Sequence, residues 1–199
     1  MQRKGRMLGA TFLAVGFVAA GLSLGAGTKQ GATKAEPAAA KGLVERGRYL
    51  AITMGCNDCH TPGFLFGGPD FKREMSGSDV GWRGPWGTTF ARNLTPDHET
   101  GLGSWTADEI ANALRSGVRK DGTVLLPPMP WQNTSQLNEP DMRALVAYLR
   151  SLPAVKHAVP KPQPPGGEYA GPVIAFPAPG PWDAPVAAEA SPAGAGAKK

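Results

Sequence analysis

Apolar residues recur at helical spacing in residues 42–54, where Leu43, Leu50 and Met54 fall on one face. Gly47 lies on the same face. A glycine inside a helix costs about 1 kcal/mol relative to alanine, so its presence there predicts a second helix crossing closely at that point.

Two further helices are predicted from signals at their ends. Thr106 and Glu109 have the spacing of a capping box, and Gly117 suits the helix C-terminus. The next helix should begin at Asn138, with a proline in its first turn where the missing N–H is harmless. Its buried face carries Met142, Leu145, Val146 and Leu149, and it should end before Pro153.

Residues 61–104 show no helical or strand period, although short strands are expected around residues 87–93. Irregular chain of this length is unusual inside a compact domain. It becomes reasonable if its aromatic side chains close over a large apolar cofactor. Those side chains are Phe64, Phe66, Phe71, Trp82, Trp86 and Phe90.

The N-terminus has the pattern of an export leader. Arg3, Lys4 and Arg6 precede an uncharged apolar run that ends near residue 27. A run of about 20 residues also approaches the length of a membrane span, so a retained anchor is the alternative to a cleaved signal, which we favour. Either interpretation predicts a periplasmic domain, with or without attachment to the inner membrane.

The remaining boundaries follow from composition. An alanine-rich stretch is expected to be a flexible linker, and the segment rich in Pro and Ala after the last helix is expected to be a tail. Its first part, to about residue 182, is expected to lie against the domain. The predicted organisation is leader or anchor 1–27, linker 28–41, folded domain 42–155 and tail 156–199.

Composition and charge narrow the classes of function. The 199 residues include 41% hydrophobic residues, 27 Gly and 20 Pro, so the side chains alone provide little apolar core. This favours a large cofactor that contributes apolar surface to the core. The net charge of +5 is concentrated in the leader. No clustered basic face supports nucleic-acid binding.

Cys-Asn-Asp-Cys-His at residues 56–60 is the attachment signature of a c-type haem. Cys56 and Cys59 can reach the two vinyl groups on one edge of a porphyrin. The following His60 is then carried beneath the iron as the first axial ligand. The sequence therefore predicts one covalent haem c.

Three other interpretations of this motif fit the sequence less well. A thioredoxin-like dithiol normally lies in a βαβ context, which the sequence lacks. A closed zinc site needs four ligands, but only two Cys and three His are present, and His98 and His157 are not spaced for it. A disulfide across two residues would close too small a loop to stabilise much.

Met129 is the best candidate for the second axial ligand. Prolines at positions 127, 128 and 130 stiffen its loop, so a weak thioether ligand is presented with little further loss of entropy. Met75 is the second candidate. The alternative interpretation of Met129 is an apolar side chain that packs near the haem without binding the iron. His98 and His157 are read as ordinary surface histidines. Arg92, Asn93 and Trp131 are candidate donors to the haem propionates.

Ligation by His60 and Met129 would fill both axial positions and raise the reduction potential. This favours one-electron transfer over catalysis, and no acid–base pair suggests an enzyme. The alternative is a haem-based sensor or small-molecule-reacting haem protein in which Met129 is labile.

Several further motifs resemble the class I cytochrome c family, and in particular the cytochrome c subunits of periplasmic dehydrogenases of the nicotinate and alcohol types. They are Gly-Arg-Tyr-Leu at 47–50, Asn-Leu-Thr-Pro-Asp at 93–97, Thr-Gly-Leu-Gly-Ser-Trp at 100–105, Ala-Leu-Arg-Ser-Gly at 113–117, Pro-Met-Pro-Trp at 128–131 and Ala-Leu-Val-Ala-Tyr-Leu at 144–149.

The resemblance implies a mainly α fold of three or more helices around a covalent haem, with long loops. In that fold the first and last helices cross at a contact such as Gly47 with Tyr148. It also implies redox partners: a dehydrogenase or upstream cytochrome as donor and a terminal acceptor. Such dehydrogenase subunits often carry three haem domains, whereas this chain has one attachment motif and could be a stand-alone carrier.

Overall fold

The structure, a computed structural model, describes residues 35–177, with side chains from residue 40 onward. This part of the chain is mainly helical, as predicted, and includes a small sheet. The helices are α1 (Ala35–Thr53), α2 (Cys56–His60), α3 (Ala107–Ser116), α4 (Trp131–Thr134) and α5 (Glu139–Ser151). The strands are β1 (Gly81–Gly84), β2 (Gly87–Phe90) and β3 (Val173–Ala175), and 3₁₀ turns lie at Phe64–Phe66 and Phe71–Arg73.

Helices α1 and α5 cross at Gly47, which confirms the predicted close approach. A Cβ atom built on Gly47 would lie 1.9 Å from the carbonyl oxygen of Ala144 and 2.7 Å from Cβ of Tyr148. Beside the crossing, Arg46 donates two hydrogen bonds to the Asp141 carboxylate, at 2.9 and 3.2 Å. The apolar core lies against this pair of helices, with α3 packed on α5. Its buried members include Ala51, Met75, Ile110, Met142, Leu145, Val146 and Leu149.

The predicted helix ends are confirmed for α3 and α5. The amide of Glu109 donates to the Thr106 hydroxyl at 3.1 Å, and the Thr106 amide donates to the Glu109 carboxylate at 2.8 Å. Gly117 ends α3 with a φ of 70°, in the left-handed region that favours glycine. Asn138 caps α5 by accepting from the amide of Asp141 at 2.9 Å.

The start of α1 differs from the sequence prediction. The helix begins at Ala35, so residues 35–41, assigned to a flexible linker, are helical. The alanines at 38–40 explain the difference, because alanine has the highest intrinsic helix propensity and no side-chain entropy to lose. No helix in residues 35–177 is long and apolar enough to cross a membrane. The predicted leader 1–27 and the tail beyond residue 177 lie outside the described residues.

The sheet joins the irregular middle of the chain to the segment that follows α5. Strand β1 pairs antiparallel with β2 and parallel with β3. Of these, β2 lies in the region where short strands were expected, and β1 precedes that region. The aromatic side chains of this region pack largely on one another: Phe176 contacts Trp82 and Trp86, and Tyr169 meets Phe90 edge-on at 4.8 Å. The chain after α5 therefore lies along the sheet rather than away from the domain.

Candidate haem site

The short helix α2 brings the haem-attachment residues together. Gly55, with a φ of 70°, turns the chain out of α1 and into this five-residue helix. Residues three and four apart lie on the same face of a helix, so Cys56, Cys59 and His60 share one side. Both thiols are free and half-buried. The two sulfurs and the imidazole are thus available to the same face of a ligand.

His60 is buried and held at two points. Its Nδ1 donates to the carbonyl oxygen of Arg92 at 2.7 Å, and its own carbonyl accepts from the amide of Gly77 at 2.8 Å. A carbonyl can only accept, so Nδ1 carries the proton and the lone pair lies on Nε2. Nε2 makes no hydrogen bond to the described residues. Burial lowers the pKa of His60, which favours the neutral imidazole that binds metals.

The thiols lack the features of a redox dithiol. Burial raises the pKa of Cys56 to about 11, and burial followed by the charge of Asp58 raises the pKa of Cys59. Catalytic dithiols instead depend on a lowered thiol pKa. Within residues 35–177 no three His, Cys, Asp or Glu side chains group together as metal ligands, so that part of the chain supplies no tetrahedral zinc site.

Met129 lies in a loop that is fixed at several points. The loop's Pro127 carbonyl accepts from the Thr89 hydroxyl of β2 at 2.7 Å, and the Met129 carbonyl accepts from the Trp131 amide at 2.9 Å. Trp131 in turn packs on Gly117, where a Cβ atom would lie 2.5 Å from the indole. Strand β2, which anchors this loop, ends at Phe90, two residues before Arg92. The methionine loop is thus bound to the strand that lies just before the carbonyl that supports His60.

The other methionines with described side chains are committed to the core. Met75 and Met142 are 0% and 1% exposed within the apolar cluster, and Met54 packs against it. Met75 therefore has no free side chain to offer a ligand, whereas Met129 is half-buried outside this cluster. This favours Met129 over Met75 as the second axial ligand.

The two remaining histidines differ from each other. His98 is exposed, as expected. His157 was also expected to be an ordinary surface residue, but its Nδ1 contacts the Ser76 carbonyl at 2.8 Å and its Nε2 contacts the Asp79 carboxylate at 3.1 Å. Nothing in the local sequence signals this role, because the contacts are made to residues distant along the chain.

The suggested propionate donors have different surroundings. Asn93 is wrong as a donor, because its amide nitrogen already donates to Thr100 Oγ1 at 3.0 Å and to the Val155 carbonyl at 2.7 Å. The Arg92 guanidinium donates to the Pro160 carbonyl at 3.2 Å and keeps other N–H groups for further partners. Its pKa is lowered, first by burial and then by the neighbouring charge of Arg119.

The segments that carry the candidate ligands also expose apolar surface. Phe66 is 68% exposed and Phe71 is 60% exposed just after α2, and Val124 and Leu126 are exposed just before Met129. Apolar surface next to two candidate ligands suits a porphyrin, which is itself largely apolar. Together with two free thiols and an imidazole whose Nε2 is available, the residues present fit a covalent haem.

The chain matches the cytochrome c family model over residues 44–153. It therefore belongs to the cytochrome c family. Membership implies a covalently bound haem c and electron transfer through it.

Known relatives share this domain as part of longer proteins. The chain is 40% identical over 136 residues to the cytochrome c subunit of the quinone-type alcohol dehydrogenase of Gluconacetobacter polyoxogenes, covering 68% of this chain and 27% of that subunit. It is 37% identical over 127 residues to the gluconate 2-dehydrogenase cytochrome c subunit of Pantoea cypripedii, covering 64% and 27%. With a nicotinate dehydrogenase subunit of Pseudomonas putida it shares 36% identity over 121 residues, covering 61% and 10%. The matches thus span about a quarter of the relatives' length or less.

Proposed function

We propose that this protein is a periplasmic one-electron carrier. One haem c is attached through Cys56 and Cys59, with His60 and Met129 as axial ligands. The observation that carries the proposal is the hydrogen bond from His60 Nδ1 to the Arg92 carbonyl, since it directs the free Nε2 to a ligand. The bound haem supplies an iron that cycles between Fe(II) and Fe(III).

The protein's contribution is to fix the surroundings of the iron. The bond to the Arg92 carbonyl sets the orientation and raises the basicity of the imidazole. The hydrogen bonds around the Met129 loop limit how far the thioether can move. Ligands that stay in place in both oxidation states keep the reorganisation on electron transfer small. Such a site favours electron transfer over chemistry at the iron.

The assignment of Met129 is tested by Met129→Leu in the haem-loaded protein, with Met54→Leu as the matched control. Both substitutions nearly conserve the volume of the side chain, but only Met129→Leu removes the proposed ligand. The wild type and Met54→Leu should show the methionine-sulfur-to-iron charge-transfer absorption of the oxidised form, and Met129→Leu should lose it. Persistence of the band in Met129→Leu would show that another group binds the iron.

The sensor hypothesis predicts a different result from the same samples. If Met129 is labile, the reduced wild-type protein should bind carbon monoxide rapidly. A carrier with both axial positions filled should bind it slowly in the wild type and rapidly in Met129→Leu. Rapid binding in both proteins would favour the sensor.

We further infer a dehydrogenase as the electron donor, because the cited relatives are named as dehydrogenase subunits. Membranes of the native host, supplied separately with an alcohol, gluconate or nicotinate, should reduce the purified haem protein. Boiled membranes are the control. If no substrate gives reduction above this control, the donor belongs to another class.

The proposed location rests on the leader 1–27, in which a positive segment precedes an uncharged apolar run. Mass spectrometry of the protein purified from its host should show an N-terminus after the apolar run if the leader is cleaved. Recovery in the membrane fraction with residue 1 retained would indicate an anchor instead.

A further inference from the structure

Two backbone groups bind His60: the Arg92 carbonyl and the Gly77 amide. A short segment after α5, residues 155–163, contacts the chain near both of them. We name it the strap. We propose that the strap is a positioning element for the proximal ligand: it holds the two backbone groups that bind His60. The proposal rests on the assignment of His60 as an iron ligand.

The first of these supports is the Arg92 carbonyl, which accepts from His60 Nδ1. The strap accepts hydrogen bonds from the side chain of Arg92 and from that of the next residue, Asn93. The Arg92 guanidinium donates to the Pro160 carbonyl at 3.2 Å, and the Asn93 amide donates to the Val155 carbonyl at 2.7 Å. These bonds leave the peptide that follows Arg92 little freedom to rotate.

Asn93 itself is part of a buried network. Its side-chain oxygen accepts from the amide and hydroxyl of Thr95, at 2.9 and 2.7 Å. The Thr95 hydroxyl oxygen also accepts from the Val155 amide at 3.1 Å. Asn93 and Thr95 are 2% and 0% exposed, so breaking one bond would leave a buried polar group without a partner.

The second support is the Gly77 amide, which donates to the His60 carbonyl. The strap binds Ser76, the residue before Gly77, through His157. The His157 ring lies between the Ser76 carbonyl and the Asp79 carboxylate. Both groups are hydrogen-bond acceptors. Val159 covers Gly77 directly, because a Cβ atom on that glycine would lie 2.6 Å from Val159 Cγ2.

These contacts distinguish positioning from mere coverage. The strap bonds to Arg92, which touches His60, and to Asn93 and Ser76, which adjoin the two supports, so it reaches both sides of the ligand. It also bonds to Thr100 and Thr88, farther from His60. Elsewhere in the strap, the exposed Lys156 side chain forms an ion pair with the exposed Glu99 carboxylate. The chain therefore offers a matched control at the position next to His157.

The experiment compares His157→Ala and Lys156→Ala in the haem-loaded, full-length protein. Hydrogen exchange of the His60 Nδ1 proton, followed by NMR, measures how often its bond to Arg92 opens. In His157→Ala this exchange should be about tenfold faster, which corresponds to about 1.4 kcal/mol for local opening. The reduction potential should rise, because a weaker bond makes the imidazole a less basic ligand. Lys156→Ala should leave both quantities at the wild-type value.

His157→Gln keeps a donor within reach of the Ser76 carbonyl, so it should show a smaller change of the same sign. It also supplies the measurement if His157→Ala does not yield haem-loaded protein. The proposal is overturned if the histidine variants match Lys156→Ala, or if every slowly exchanging amide accelerates as much as the His60 proton. Absence of covalent haem from the wild-type protein would instead overturn the proposed function.

Discussion

Two regions of the molecule are stabilised by different kinds of interaction. At the crossing of α1 and α5, apolar side chains fill the interior and backbones approach so closely that only glycine fits at position 47. The second region, residues 76–95 together with 155–177, buries polar side chains such as Asn93, Thr95 and Thr88. We call these regions the helix crossing and the strap region. The helix crossing should be sensitive to added volume, and the strap region to lost hydrogen-bond partners.

The largest effect is expected from Gly47→Ala. Its methyl group would meet the Ala144 carbonyl, so the two helices must separate, and we expect a loss of about 3 kcal/mol in the free energy of unfolding. Gly42→Ala is the matched control: apart from its own helix backbone, no atom of the described residues lies within 4 Å of a Cβ there, and alanine should add about 0.5–1 kcal/mol. Urea unfolding followed by circular dichroism measures both. Equal stabilities of the two variants would contradict the close crossing.

In the strap region, Asn93→Ala adds no volume to the interior but removes hydrogen-bonding groups. It leaves the buried Thr95 amide and the Val155 carbonyl with fewer partners, so a loss of about 2–3 kcal/mol is expected in the same unfolding experiment. Asn112→Ala, at an exposed position of α3, should change stability by less than about 0.5 kcal/mol. A similarly small effect for Asn93→Ala would mean that water replaces the network.

A smaller effect is expected at the N-terminus of α3, where the interaction is local. Thr106→Ala removes the hydroxyl that accepts from the Glu109 amide, and should cost about 1 kcal/mol. Thr106→Ser keeps that acceptor and should stay close to wild type. If serine fails to restore stability, the threonine acts through its methyl group and not through capping.

The smallest effect is expected on the loss of stability at acidic pH. Hydrogen bonds from the hydroxyl and amide of Thr100 lower the pKa of Asp97, and the Arg46 bonds lower the pKa of Asp141. A carboxylate with a lowered folded-state pKa stabilises the protein above its unfolded value, near pH 4, and this contribution is lost as the pH falls through the folded pKa. Urea midpoints measured downward from pH 5 should therefore decrease less steeply in Asp97→Asn than in wild type. Parallel curves would exclude Asp97 as a contributor.

Much of the helical structure, including the helix crossing, could be predicted because its signals are local or periodic. The capping residues Thr106 and Asn138 act within one helical turn, and the glycine at position 47 is costly unless a neighbour needs its space. The Cys-x-x-Cys-His spacing places three groups on one helical face by the geometry of the helix alone. For the same reason the early start of α1 was missed: an alanine run without an apolar face carries propensity but no period.

The surroundings of His60 could not be predicted in this way. The group that fixes its tautomer is the backbone carbonyl of Arg92, and every residue type offers such a carbonyl. The role of His157 depends on contacts to Ser76 and Asp79, which only the folded chain brings near. Asn93 is a candidate propionate donor by its position near the expected pocket, yet its amide nitrogen binds Thr100 and the Val155 carbonyl of the chain after α5.

The sequence by itself determined the haem-attachment motif, the caps of α3 and α5 and the need for a close helix crossing, because these follow from spacing within a few turns of chain. The tertiary structure alone decided which carbonyl holds His60, which methionine stays outside the core and where the chain after α5 lies. Those choices depend on loop closure between distant residues and on satisfying buried polar groups, and neither leaves a periodic signal in the sequence.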